Sequence, residues 1–249
     1  MYAATPSRTP SERPNIIFVL ADDLGYGDLG CYGQKRIQTP NLDRMAAEGI
    51  RFTDDYAGST VCAPSRCCLM TGLHTGHARI RGNGRIPLKP EDTTVAELLW
   101  QAGYETALVG KWGLGEADTP GIPRSQGFEF FYGYLNQAHA HNYYPEFLWR
   151  NETRQSLRNE VVRPKRRHYA RNLVGAATRR VDYSHDLFTE EALRFVSEER
   201  SSPFCLYLAY TLPHANNEAG VLDRHGMEVP DYGPYRDRDW PEAQKGHAA

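Results

Sequence analysis

The chain has no apolar stretch approaching the roughly 20 residues needed to cross a bilayer, so no membrane-spanning helix is expected. Its first thirteen residues, Met1 to Arg13, are polar and proline-bearing and lack the apolar core of a signal peptide. Excess charge of one sign is missing too: 29 Lys and Arg stand against 31 Asp and Glu. That balance removes the overall electrostatic mark of a nucleic-acid protein, and no such partner is expected. The five cysteines, at 31, 62, 67, 68 and 205, form neither a paired disulfide framework nor the C-x-x-C spacing of a zinc site. They leave the redox compartment open. There is no internal repeat. What remains is 249 residues, enough for one large α/β domain with a substantial core.

The order of elements can be read from period and punctuation. Asn15 to Leu20 is a short apolar run rich in Ile, which predicts a strand buried on both faces that delivers Asp22 and Asp23 at its C-terminal end. A helix follows with Thr39 as N-cap, Pro40 at its first position and Gly49 just past its last turn. Thr94-Val-Ala-Glu97 has the spacing of a capping box, and Gly103 supplies the stop. Tyr104 to Val109 then reads as a strand presenting Lys111 at its end. Leu187 to Glu199 carries apolar residues at 188, 192, 195 and 196, one helical face. Phe204 to Tyr210 reads as a strand that hands off to Pro213-His214.

This alternation predicts an α/β fold with a largely parallel sheet. Ligands of such sheets bind outside the carboxyl ends of the strands, where Asp22, Asp23, Lys111 and His214 all fall. The stretch from Arg150 to Asp182 differs, with Lys165 and nine arginines against Glu152, Glu160 and Asp182 and no sustained apolar period. It is expected to form an exposed basic excursion. Such a face is ordinarily only solvated; the functional alternative is an electrostatic funnel for an anionic substrate.

The run Val61-Cys-Ala-Pro-Ser-Arg-Cys-Cys-Leu-Met-Thr-Gly72 is the most specific in the chain. Locally it needs no chemistry: Pro64 suits a first helical turn, Gly72 an end, and Cys67 and Cys68 small buried apolar positions. Its order C-x-P-S-R, closed by Thr71-Gly72, resembles the signature of the type I sulfatases. The resemblance continues from Pro14 to the end of the chain. It passes through Asn15-Ile-Ile-Phe-Val-Leu-Ala-Asp-Asp23, Thr39-Pro-Asn-Leu-Asp43, Gly110-Lys-Trp112 and Pro213-His214.

The resemblance implies an alkaline-phosphatase-like α/β/α sandwich and hydrolysis of a sulfate ester on a sulfated carbohydrate or aryl group. It implies that a maturation enzyme oxidises Cys62 to formylglycine, whose hydrate attacks sulfur and then expels sulfate. By the same resemblance, Asp22, Asp23 and residue 62 hold Ca²⁺, with Mg²⁺ as the alternative, and both aspartates are hard oxygen donors of the right kind. Arg66 stabilises residue 62, Lys111 binds a sulfate oxygen, and His214 protonates the leaving oxygen. A phosphoester or phosphonate hydrolase of the same superfamily is the second reading, and a non-catalytic anion-binding remnant the third.

Two departures stand out. The family commonly reads Gly-Lys-Trp-His-Leu-Gly where this chain has Gly110-Lys-Trp-Gly-Leu-Gly115, so the histidine credited with deprotonating the hemiacetal is Gly113 here. His139 and His141 are the nearest replacements in sequence. The second departure is that no Asp-Asn or Asp-His pair followed by a lysine lies between His214 and Ala249. The expected organisation is therefore a polar tail over 1–13 and the N-terminal portion of a catalytic domain over 14–249, with C-terminal strands and ligands missing. Relatives are often exported, which implies a periplasmic or secreted location unless the start is not the native one or this member stays inside.

Overall fold

A computed structural model describes residues 13–165 and 172–249. All of the expected polar tail except Arg13 lies outside that range, as do Arg166, Arg167 and Arg171 of the basic stretch. The chain opens with β1 (Ile16–Asp22) and continues through α1 (Pro40–Glu48), α2 (Cys62–Thr71) and α3 (Val95–Gln101) into β2 (Glu105–Lys111). Five further strands follow: β3 (Phe130–Tyr134), β4 (Phe147–Arg150), β5 (Thr153–Ser156), β6 (Glu160–Val162) and β7 (Ala176–Arg179). Then come α4 (Ser184–Ser197), β8 (Phe204–Pro213) and α5 (Glu242–Ala248).

The main sheet has the order β1-β8-β2-β3-β4-β5. Its first four strands run parallel, and β4 and β5 are antiparallel additions. Strand periodicity sends alternate residues to opposite faces. Leu108, Phe131, Tyr207 and Ala209 join α2 and α3 in one core, while Val109, Tyr132, Leu206 and Leu208 join Phe188 and Ala192 of α4 in the other. This is the α/β/α sandwich with a mostly parallel sheet.

Helix ends follow the sequence with one change of mechanism. The Thr94 hydroxyl accepts from Glu97 N at 3.2 Å while the Glu97 carboxylate accepts from Thr94 N at 2.7 Å, closing the capping box ahead of β2. Thr39 does stand at the N-cap of α1, but its hydroxyl makes no cap bond. It accepts from Gly30 N at 2.8 Å and donates to Asp43 at 3.0 Å, tying the helix start to the preceding loop.

Two expectations need correction. β1 is not buried on both faces: Ile17, Phe18 and Val19 are 53%, 44% and 55% exposed. Among the described residues β1 is the edge of the sheet, hydrogen-bonded to a neighbour on one side only, and α1 buries none of its own residues. An apolar run thus marks a strand without saying what covers it.

Nor is the described part of the basic stretch, 150–165 and 172–182, simply an excursion. β4 and β5 extend the main sheet, β6 and β7 pair with each other, and Val174, Ala176 and Ala177 are buried. Asn159 staples the stretch shut, accepting from Val181 N and Asp182 N at 2.8 and 2.9 Å and donating to Pro145 O at 2.8 Å. Its arginines are not simply solvated. Arg150 forks onto Glu191 at 3.0 and 2.5 Å, Arg158 meets Asp182, Arg163 meets Glu146, Arg179 meets Glu160 and Arg180 meets Glu228.

Candidate active site

Parallel pairing in near register brings the ends of β1, β8 and β2 side by side, with Asp22 opposite Pro213 and Gly110 opposite Ala209. Asp22 and Lys111 close their strands and His214 follows the third, so residues far apart in sequence share one crevice. α2 enters from the other direction with Cys62 as its first residue. Val61 offers the helix no side-chain cap. Asn83 supplies it instead: its carbonyl accepts from Ala63 N at 3.0 Å, and its amide nitrogen lies 4.0 Å from the Cys62 sulfur. The helix start thereby directs its partial positive charge at residue 62.

The heart of the site is a cluster of buried charge. Lys111 is fully buried, and its Nζ donates to Asp22 Oδ2 at 2.5 Å. Arg66, 2% exposed, lies 3.5 Å from Asp22 Oδ1 and donates to Lys111 O at 2.7 Å. Its Nε and Nη2 have no hydrogen-bond partner. Burial alone would raise the Asp22 carboxyl, but Lys111 and Arg66 outweigh it and hold it below the ordinary carboxylate value. Two buried cations against one buried carboxylate, with guanidinium donors to spare, make a pocket suited to an oxyanion.

The Asp22 carboxylate, the Cys62 sulfur and a His214 ring nitrogen lie within 4.8 Å of one another. Burial pushes the Cys62 thiol up, yet its hydrogen bond with His214 and the charge of Lys111 bring it below the usual thiol value. His214 Nδ1 faces Ala215 O at 2.7 Å. A carbonyl only accepts, so Nδ1 carries hydrogen and Nε2 is the working nitrogen, 3.5 Å from Asp23 Oδ2. Burial lowers the His214 pKa, and the Cys62 contact with Asp22 and Asp23 more than restores it. Asp23 itself is at the rim, with its side chain 65% exposed.

The two loop histidines part company. His141 stacks on His214 with ring centroids 4.6 Å apart, and its Nδ1 meets Glu218 at 3.2 Å. Burial lowers its pKa despite Glu218. A neutral imidazole facing a carboxylate through Nδ1–H keeps a free lone pair on Nε2, which is what a base needs. His139 instead packs between Phe147 at 4.6 Å and Tyr134 at 5.1 Å, outside the cluster. Burial, then the charges of Arg154 and Arg163, depress its pKa to about 3.

The space beside Gly113 is already taken. A Cβ there would stand 2.1 Å from Gln137 Oε1, and residue 113 has φ +83°. Gln137 is buried with both amide atoms unpartnered. Gln137, Asn83 and Glu218 join the site without belonging to any of its sequence motifs. Only Asn83 carried a signal, the turn dipeptides of Gly82-Asn-Gly84.

Asp22 and Asp23 are hard oxygen donors of the kind a divalent cation takes, but only Asp22 lies within 4.8 Å of both the Cys62 sulfur and a His214 nitrogen, while Asp23 reaches His214 Nε2 at 3.5 Å from the rim. Two carboxylates are fewer than the six to eight oxygens Ca²⁺ takes.

The fold and site together define an α/β sandwich with a crevice of buried charge at the carboxyl ends of its parallel strands. Comparison places it more narrowly: residues 14–247 match the Sulfatase family model, and the chain belongs to that family. It is 34% identical over 259 residues to arylsulfatase G of Rattus norvegicus, covering 90% of this chain and 47% of that protein. To N-acetylglucosamine-6-O-sulfatase of Bacteroides thetaiotaomicron it is 32% identical, covering 86% of this chain and 33% of the relative. The chain thus spans less than half the length of these curated relatives. Among solved structures, a protein in complex with its substrate D-glucosamine-2-N,6-O-disulfate superposes with TM-score 0.64 at 32% identity, covering 82% of this chain and 35% of that one. Another, crystallised with k-i-k-neocarrahexaose, gives TM-score 0.71 at 25% identity, covering 95% and 51%.

Proposed function

We propose that this chain carries the nucleophile half of a sulfuric ester hydrolase acting on a sulfated saccharide or aryl sulfate, with Cys62 as the precursor of formylglycine. The observation that carries the reading is the convergence of Cys62, Asp22 and His214 within 4.8 Å beside two buried cations sharing one carboxylate. Relatives with saccharide ligands support the substrate class.

Each side chain has a task. Lys111 and the unpartnered donors of Arg66 bind the non-bridging oxygens of the sulfuryl group and stabilise negative charge there. His214 gives its Nε2 proton to the departing alcohol oxygen. His141, oriented by Glu218, takes the proton from residue 62 in the role that a side chain at 113 cannot fill. Asn83 fixes the start of α2 and so the direction of residue 62. The matured aldehyde, hydrated, would supply a hydroxyl nucleophile and a second hydroxyl that releases sulfate. Asp22 and Asp23, with residue 62, would hold Ca²⁺ or Mg²⁺, which lowers the pKa of that nucleophile and polarises the ester. Water is the second substrate, and the products are the free alcohol and sulfate.

Co-expression with a formylglycine-generating enzyme tests the reading. Mass spectrometry of the peptide containing residue 62 should show an aldehyde in place of the thiol. An unmodified Cys62, under conditions that mature a control sulfatase, would overturn it.

A further inference from the structure

Arg154 stands apart from the arginines around it. Among the described residues Arg150, Arg158, Arg163, Arg179 and Arg180 each meet a carboxylate. Arg154 meets two rings instead: its guanidinium lies 4.6 Å from the Phe147 centroid and 5.0 Å from that of Trp149. Such contacts hold the guanidinium against aromatic surface, and among the described residues no carboxylate pairs with its N–H groups.

Arg154 lines a cavity of about 470 Å³ whose wall also holds Arg85, Glu116, Asp118, His139 and Trp149. Arg85, half exposed, approaches Glu116 only to 4.0 Å, beyond hydrogen-bond range, and among the described residues no carboxylate lies closer to it. His139 is 3% exposed, and its Nδ1 has no partner. Buried polar atoms left unpaired are costly, and a neutral imidazole always has one N–H to give. Two arginines and an imidazole suit an anion, while Glu116 and Asp118 suit sugar hydroxyls. The mixture fits a saccharide unit bearing one anionic group better than a polyanion.

The cavity adjoins the crevice. Arg85 and Glu116 also line a smaller hollow that contains Gly113 and Gln137, and a Cβ on residue 113 would stand 3.8 Å from Arg66 Cδ. We propose that this cavity is a second anion-recognition subsite, in which Arg154, Arg85 and His139 take the sulfate or carboxylate of the sugar unit next to the one whose ester faces Cys62. The assignment rests on the hydrolase reading above.

The test is read at Trp149 and needs no turnover. Isotope-labelled protein is titrated with inorganic sulfate, a neutral disaccharide, a uronate disaccharide without sulfate, and a disaccharide sulfated on its second unit. The Trp149 indole resonance, assigned with Trp149→Phe, is followed by NMR. At least one anionic disaccharide should shift it, and the identity of that probe distinguishes carboxylate from sulfate. Arg154→Gln should weaken that binding about three- to tenfold at low salt, with the loss shrinking as salt rises. Equal binding to Arg154→Gln, an equal response to the neutral disaccharide, or no shift with any saccharide would overturn the subsite whether or not residue 62 is matured. Failure of Cys62 to mature removes the hydrolase reading alone and does not alter this titration.

Discussion

The crevice at the ends of β1, β2 and β8 and the arginine-rich stretch from 150 to 182 are both crowded with charge, and the fold treats them in opposite ways. In the stretch, five of the six described arginines meet a carboxylate, and every one of the five side chains keeps roughly a third or more of its surface in water. In the crevice, Lys111 and Arg66 share Asp22, and none of the three reaches solvent to any extent. Desolvation makes the difference: paired surface charge is nearly free, whereas a buried charge depends wholly on its partners. Charge density along the sequence is therefore a poor guide to where charge is buried.

Asp22→Ala is the strongest way to break that contrast. It strands Lys111 and Arg66 without a counter-charge, and chemical denaturation should show a loss of about 3–5 kcal/mol. A loss near that of a surface pair would mean that water reaches the crevice. Gly113→Ala probes how tightly the crevice is packed. A methyl group against Gln137 Oε1 on a left-handed backbone should cost about 2 kcal/mol by the same measurement, and adding Gln137→Ala should recover part of it.

A buried group without charge sharpens the comparison through pH. Burial holds His185 down from 6.5 to about 3, with its Nε2 against the Thr211 hydroxyl at 2.9 Å. The unfolded imidazole binds a proton below 6.5 and the folded one does not until about 3, so stability falls as pH drops through that window. The contribution is about 2 kcal/mol at pH 5. Comparing denaturation at pH 7 and pH 5 for the parent and His185→Gln should show the acid sensitivity reduced in the variant. Smallest of all, Arg179→Ala removes an exposed pair with Glu160, and the same titration should register under about 1 kcal/mol.

Much of the framework was legible because its signals are local. The Thr94–Glu97 capping box, the glycine stop at 72 and the strand ends at Asp22, Lys111 and Pro213 rest on residues within a few positions of one another. The parallel alternation then implied that those ends would meet. What stayed hidden depends on distance through the fold. Glu191 and Glu228 neutralise Arg150 and Arg180 from 41 and 48 residues away, so the described part of a run that reads as basic is largely paired. His139 and His141 are alike in sequence, yet on one short turn only the second faces His214. Gln137 acquires its place only because position 113 has no side chain.

The two edges of the main sheet differ in a way that bears on how the protein must be handled. β5 presents Thr-Arg-Gln-Ser, all exposed and polar, with a charge that discourages pairing with a neighbour. Among the described residues β1 presents Ile17, Phe18 and Val19 on an unpaired edge, and the strand has no charged residue before Asp22. Such a strand is a template for self-association: light scattering per unit mass should rise with protein concentration, and Phe18→Lys should lower it.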